Sequence, residues 1–160
     1  MTQFATSWRL SRGRFVAEVQ DLNQEQLNWR LYPGGLSIGE MALHVAGVEI
    51  SFTSQLIDAP LDDVKLKLKR AATEGVVNDL PFPFTAGEIT PQVVKESLAL
   101  AEGMAQPLIE NPSSDALARE IVSALGPVIT GEGALARFAF HPAYHQGQAY
   151  QMKQAPGFPA

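Results

Sequence analysis

Ser37 and Glu40 form a Ser-x-x-Glu pair, and no strong breaker follows until Pro60. In such a pair each side chain satisfies a backbone N–H at the start of a helix. Leu36 before the cap and Met41 after it fit a hydrophobic staple. A helix is predicted from Ile38 to about Ile57, with Ile38, Met41, Val45, Val48, Phe52 and Leu56 as its apolar stripe. Thr90-Pro91 opens another, with Thr as cap and Pro at the first helical position. Val94, Leu98, Ala101, Ala105 and Leu108 hold its register until Pro107 ends or kinks it. Thr130 caps a further helix reaching about Gln154. Phe4, Trp8, Phe15, Val19 and Leu22 predict a first helix over residues 2–22. Four long helices define an all-α fold, a four-helix bundle with long connecting loops.

The connectors are less regular. Gln24 to Asn28 reads as a short helical piece, and Pro33-Gly34-Gly35 as a turn. Residues 58–89 are ambiguous: Val64 to Lys69 alternates like a strand, whereas Ala71 and Ala72 favour helix. Pro81-Phe82-Pro83-Phe84 predicts an irregular apolar loop. Asp115 to Leu125 predicts a short helix closed by Gly126-Pro127.

The 160 residues suit one domain, 1–160, and domains of this size bury roughly 68–70% of their unfolded surface. Twelve basic against seventeen acidic residues give a charge of −5, which argues against nucleic acid binding by bulk electrostatics. There is no cysteine, so disulfides and thiolate ligands are excluded. No apolar run approaches the ~20 residues of a membrane span. Met1 to Leu10 lacks a signal-peptide core, and a cytoplasmic location is expected.

The chain has three histidines. His141 and His145 are one turn apart on the last helix, about 40° round from one another. Ala134, Phe138, Gln148 and Met152 share their sector, so both rings face the bundle interior. His44 lies roughly 80° from the middle of its helix's stripe, on the rim, with Gly47 leaving space beside it. Imidazole is the commonest transition-metal ligand, and three ligands plus an open position describe a reactive centre. The plainer reading makes each a boundary or hydrogen-bonded histidine. Burying three imidazoles requires partners for their nitrogens, which favours metal: His44, His141 and His145 are the expected ligands, near the surface and open to a small molecule. Pro142 stands where a zinc protease carries its glutamate base, so that chemistry is not expected. Pro142 should also kink the helix or force a bulge.

Leu36-Ser37-Ile38-Gly39-Glu40-Met41-Ala42-Leu43-His44 and His141-Pro142-Ala143-Tyr144-His145-Gln146-Gly147-Gln148 resemble two segments of the DinB/YfiT-like superfamily of four-helix-bundle metalloproteins. The likeness spans nearly the whole chain. It implies a divalent metal on the three histidines, most often zinc or nickel with iron or manganese open, and a homodimer. Some relatives transfer low-molecular-weight thiols to electrophiles, and one branch isomerises maleylpyruvate with a thiol cofactor. Pro142 departs from the acidic or polar residue that relatives often carry.

The expected activity is metal-dependent transfer of a low-molecular-weight thiol cosubstrate to an electrophilic small molecule. A metal favours the thiolate, so no protein base is required. A metal-dependent hydrolase and a non-catalytic stress-response or protein-interaction module are the alternatives. Tyr144, Arg137 and Gln148 border the histidine sector as candidates to meet substrate or orient a ligand; an amphipathic rim and packing are their plainer readings. Glu40 is explained by capping, and Glu49 points away from His44. Lys65, Lys67, Lys69 and Arg70 form a basic cluster, a solvated face or an attractor for an anionic thiol. Phe82 and Phe84 pack as a loop or line the pocket mouth. Trp8 and Trp29 are core or interface residues.

Overall fold

The computed structural model describes residues 2–160, and Met1 of the expected domain lies outside them. In chain order the elements are α1 (Gln3–Val19), α2 (Gln24–Asn28), α3 (Ile38–Ile57), α4 (Asp63–Ala71), α5 (Pro91–Glu110), α6 (Ser114–Ala118), β1 (Glu120–Val122), β2 (Val128–Thr130) and α7 (Gly131–Lys153). The long helices α1, α3, α5 and α7 make an all-α bundle; α1 packs chiefly on α7, and α3 on α5 and α4. None of the described helices is long and apolar enough to cross a membrane.

Local chemistry explains the helix starts. Ser37 and Glu40 make both halves of the capping box, and Thr90 and Thr130 cap α5 and α7. Asn23 and Gln26 form a second capping box, which opens α2. The chain therefore leaves α1 at Val19, before the expected Leu22. The ambiguous Val64 to Lys69 stretch is helical in α4, started by Asp62 and buried along Leu68 and Ala71.

Two expectations change. α3 is not a half-exposed helix with one stripe: nearly all its residues from Ile38 to Leu56 are buried, because α4, α5 and α7 cover it on different sides. The helix expected over 115–125 stops at Ala118, and the chain turns into an antiparallel hairpin pairing Ile121 with Ile129. Ile121, Val122, Val128 and Ile129 are β-branched and suit strands, while Gly126 takes the positive φ of 99° that the turn needs. Pro107 and Pro142 both lie inside their helices, which continue past them. Each forfeits one backbone donor, and the packing of α5 and α7 carries both helices past it.

Two apolar clusters form the core, one around Phe15, Leu43 and Ile50 and the other around Trp8, Phe52 and Phe138. A polar bridge joins α1, α3 and α5. Buried Arg12 pairs with Glu49 at 3.1 Å and Glu102 at 3.0 Å, and donates to the Leu98 carbonyl. Glu49 also accepts from the Trp8 indole at 2.8 Å. Burial pushes the Glu49 carboxyl up, against the pull of Arg12 and Trp8.

Candidate metal centre

His44 comes from the middle of α3, His141 and His145 from the middle of α7, and the three rings meet edge to face. His141 Nε2 lies 3.0 Å from His44 Nε2 and 3.1 Å from His145 Nε2. The expected trio is thus brought together, with one ligand atom from each within 4.8 Å of the others. His44 and His145 are 5% and 4% exposed. The expected rim position of His44 is corrected by the burial of α3 on all sides.

The proton count shows what this geometry fits. His44 Nδ1 is 2.9 Å from the Ala71 carbonyl. A carbonyl cannot donate, so Nδ1 carries the proton and Nε2 of the neutral ring presents a lone pair. His145 Nδ1 likewise donates to Gln148 Oε1 at 2.7 Å. Two lone pairs therefore face His141 Nε2, which can offer one proton at most. One short nitrogen–nitrogen contact is left without a hydrogen. A cation accepting all three lone pairs resolves this; nitrogens at 2.0–2.1 Å from a tetrahedral ion sit roughly 3.3 Å apart.

Electrostatics agree with neutral rings. Burial lowers His44 from its ordinary value of 6.5, against the Ala71 bond. Burial, then His44, His145 and Arg137, lower His141 well below it. Burial and then His44 bring His145 down to about 4, against the Gln148 bond. The neutral imidazole is the form that binds metal.

Of the two supports behind the rings, Gln148 was a sequence candidate, and the Ala71 carbonyl was not. Gly47 leaves no room for substrate, because the backbone of α4 fills the space. A Cβ there would lie 2.3 Å from the Leu68 carbonyl oxygen and 2.9 Å from the Ala72 nitrogen. That close crossing brings the Ala71 carbonyl to His44. No side-chain pattern signals it, since the acceptor is backbone. Gln148 orients His145, and such a partner would fix the tautomer of a metal ligand.

The three histidines line a cavity of about 1030 Å³. Its wall is mostly apolar, contains Arg137, Tyr144 and Gln148, and includes no Asp or Glu among the described residues. Tyr144 is half exposed at the mouth, its ring edge-on to His145. Val77 and the hairpin residue Leu125 also reach the wall; the one signal in the sequence that could have found the hairpin is the β-branched residues on either side of Gly126-Pro127.

Other candidates fall elsewhere. Glu40 is spent on the cap and a pair with Arg30. Glu49 faces Arg12. The basic cluster does not form as a patch on the cavity: Lys65, Lys67 and Arg70 pair with Asp62, Glu88 and Glu74 around the α4 helix. Phe82 and Phe84 pack on the core and stay out of the histidine cavity. Trp8 is core, and Trp29 packs edge-on to Phe158.

Fold and site together define a helical-bundle protein with three imidazoles able to hold a metal ion at the base of a cavity. The chain belongs to the DinB superfamily, whose family model matches residues 7–149. The crystal structure of a DinB-like protein from Bacillus cereus has a similar fold, with a TM-score of 0.64 at 15% identity over 98% of this chain and 94% of that one. No curated protein matches significantly.

Proposed function

We propose that this protein is a divalent-metal-dependent enzyme that transfers a low-molecular-weight thiol to an electrophilic small molecule, with His44, His141 and His145 as metal ligands. The observation that carries the reading is the convergence of three neutral Nε2 atoms, with too few protons to satisfy them, at the base of a large cavity. Imidazole donors suit zinc, nickel and iron, and the family likeness puts zinc or nickel first, with iron or manganese open. A divalent cation held there supplies Lewis acidity that favours a thiolate over its thiol. The chain's own residues orient and exclude water. The Ala71 carbonyl and Gln148 fix two of the rings, and apolar side chains in the wall such as Val48 and Phe52 disfavour water there.

The absence of a carboxylate from the described wall favours thiol transfer over hydrolysis. A hydrolase at a metal centre generally uses a positioned base to handle the protons of water, whereas a thiolate needs none. A second reading, a metal-binding interaction module without turnover, draws on exposed Tyr32, Leu125, Phe140 and Tyr144 around the mouth. Homodimerisation would use the same kind of apolar surface.

The deciding experiment offers metal-loaded protein bacillithiol, mycothiol, glutathione and cysteine in turn, with a generic electrophile. Turnover with at least one thiol, abolished in His141→Ala and kept in folded Glu40→Gln, supports the enzyme. Fully metallated protein that turns over none of them sinks it in favour of the interaction module.

A further inference from the structure

Arg137 stands apart from the other arginines. Arg9, Arg12, Arg30, Arg70 and Arg119 each pair with a carboxylate, and Arg14 is exposed to water. Arg137 is half-buried in the cavity wall and has no ion-pair or hydrogen-bond partner among the described residues. It is also the only Lys, Arg, Asp or Glu among the described residues of that wall. On α7 it precedes His141 by one turn, so Arg137, His141 and His145 follow one ridge at intervals of four. The guanidinium is near enough to His141 to act on its charge.

A guanidinium with no carboxylate opposite it among the described residues is free to take an anion, and its field is strongest where the walls are apolar. Its planar fork matches a carboxylate. In a protein of net charge −5, a cavity whose only charged side chain among the described residues is Arg137, beside a site for a cation, selects anions against the overall trend.

We propose that Arg137 is an anion-recognition residue, and that one of the two reactants is an organic carboxylate whose apolar body lies along the cavity wall. The carboxylate pairs with Arg137 while the reactive end points one turn further, toward the histidines. This rests on reading the cavity as the reactant site. It deepens that reading by naming the charge class of the ligand.

The test is calorimetric and needs no turnover. Zinc-loaded wild type and Arg137→Gln are titrated with two matched pairs, 3-mercaptopropionate against 3-mercaptopropionamide and 3-phenylpropionate against 3-phenylpropanamide. The first pair reports an anionic thiol, the second an anionic thiol-free reactant. Wild type should bind the carboxylate at least about tenfold more tightly than the amide in one pair. Arg137→Gln should lose that preference with amide binding and far-UV circular dichroism unchanged, and Arg137→Lys should keep part of it. A preference undiminished in Arg137→Gln means the carboxylate binds the metal directly, and overturns the proposal. So does no preference in either pair, or no measurable binding of either carboxylate. Thiol transfer can fail in the turnover assay while this preference stands, so the two failures are distinguishable.

Discussion

Two of the three histidines, His44 and His145, depend on an atom behind the ring. Gln148 accepts from His145 Nδ1 at 2.7 Å, which points the Nε2 lone pair at the other two rings. Partners of this kind typically cost 10–100-fold in metal affinity when removed. Gln148→Leu should weaken zinc binding by about tenfold or more in a competitive chelator titration, with little change in the stability of the metal-free protein. The same ring sets a pH dependence. His145 goes from 6.5 to about 4 on folding, so the unfolded chain binds the proton first as pH falls. Its contribution to metal-free stability is complete above about 6.5 and is lost through the window down to about 4. Between pH 7 and 5 the loss is about 2 kcal/mol. Urea unfolding of metal-free wild type and His145→Gln at both pH values checks this: the variant should lose less.

At the scale of elements, the crossing of α4 over α3 is the joint on which His44 depends. Gly47→Ala forces a methyl against the backbone of Leu68 and Ala72. Helix displacement of this kind costs about 1–3 kcal/mol. Because the Ala71 carbonyl moves with α4, metal affinity should fall too. A fall in thermal stability with unaltered zinc affinity would separate the crossing from the site. The second joint is Arg12, which ties α1 to Glu49 on α3 and Glu102 on α5. Arg12→Met leaves Glu49 buried without its counter-charge and should cost about 3–5 kcal/mol. Denaturant unfolding of this variant beside Arg12→Met/Glu49→Leu reads the coupling: the double variant should recover part of the loss.

The histidine trio lines a cavity that both apolar clusters border, through Met41 and Met152 of one and Val48 and Phe52 of the other, while most of each cluster lies away from it. Burial of those clusters, at about 25 cal/mol per Å², stabilises the fold without any ion. Chelation of the metallated protein should therefore leave far-UV circular dichroism near native and lower the melting temperature, while abolishing the proposed thiol transfer. Global unfolding on chelation would identify a structural metal instead.

The long helices were legible because their starts and periodicity are local properties of the chain. Ser37 with Glu40, Thr90 with Pro91, and Thr130 cap the helices they were expected to cap. The three histidines could be named from their rarity, their spacing and the likeness to a family. The hairpin after α6 was not legible, because its short strands form only where Ile121 and Ile129 meet across the turn and Ile121 enters the core. The burial of His44 was not legible either, since a helix covered on several sides by distant segments carries no single stripe. The tautomers of His44 and His145 and the isolation of Arg137 were likewise decided only in three dimensions. They depend on a backbone carbonyl from α4, on the direction of one amide, and on the absence of an acid across a cavity. None of these is a property of neighbours in sequence. The amino-acid sequence determined where helices begin and which nitrogens were available; the tertiary structure decided how those nitrogens are protonated and what charge awaits a ligand.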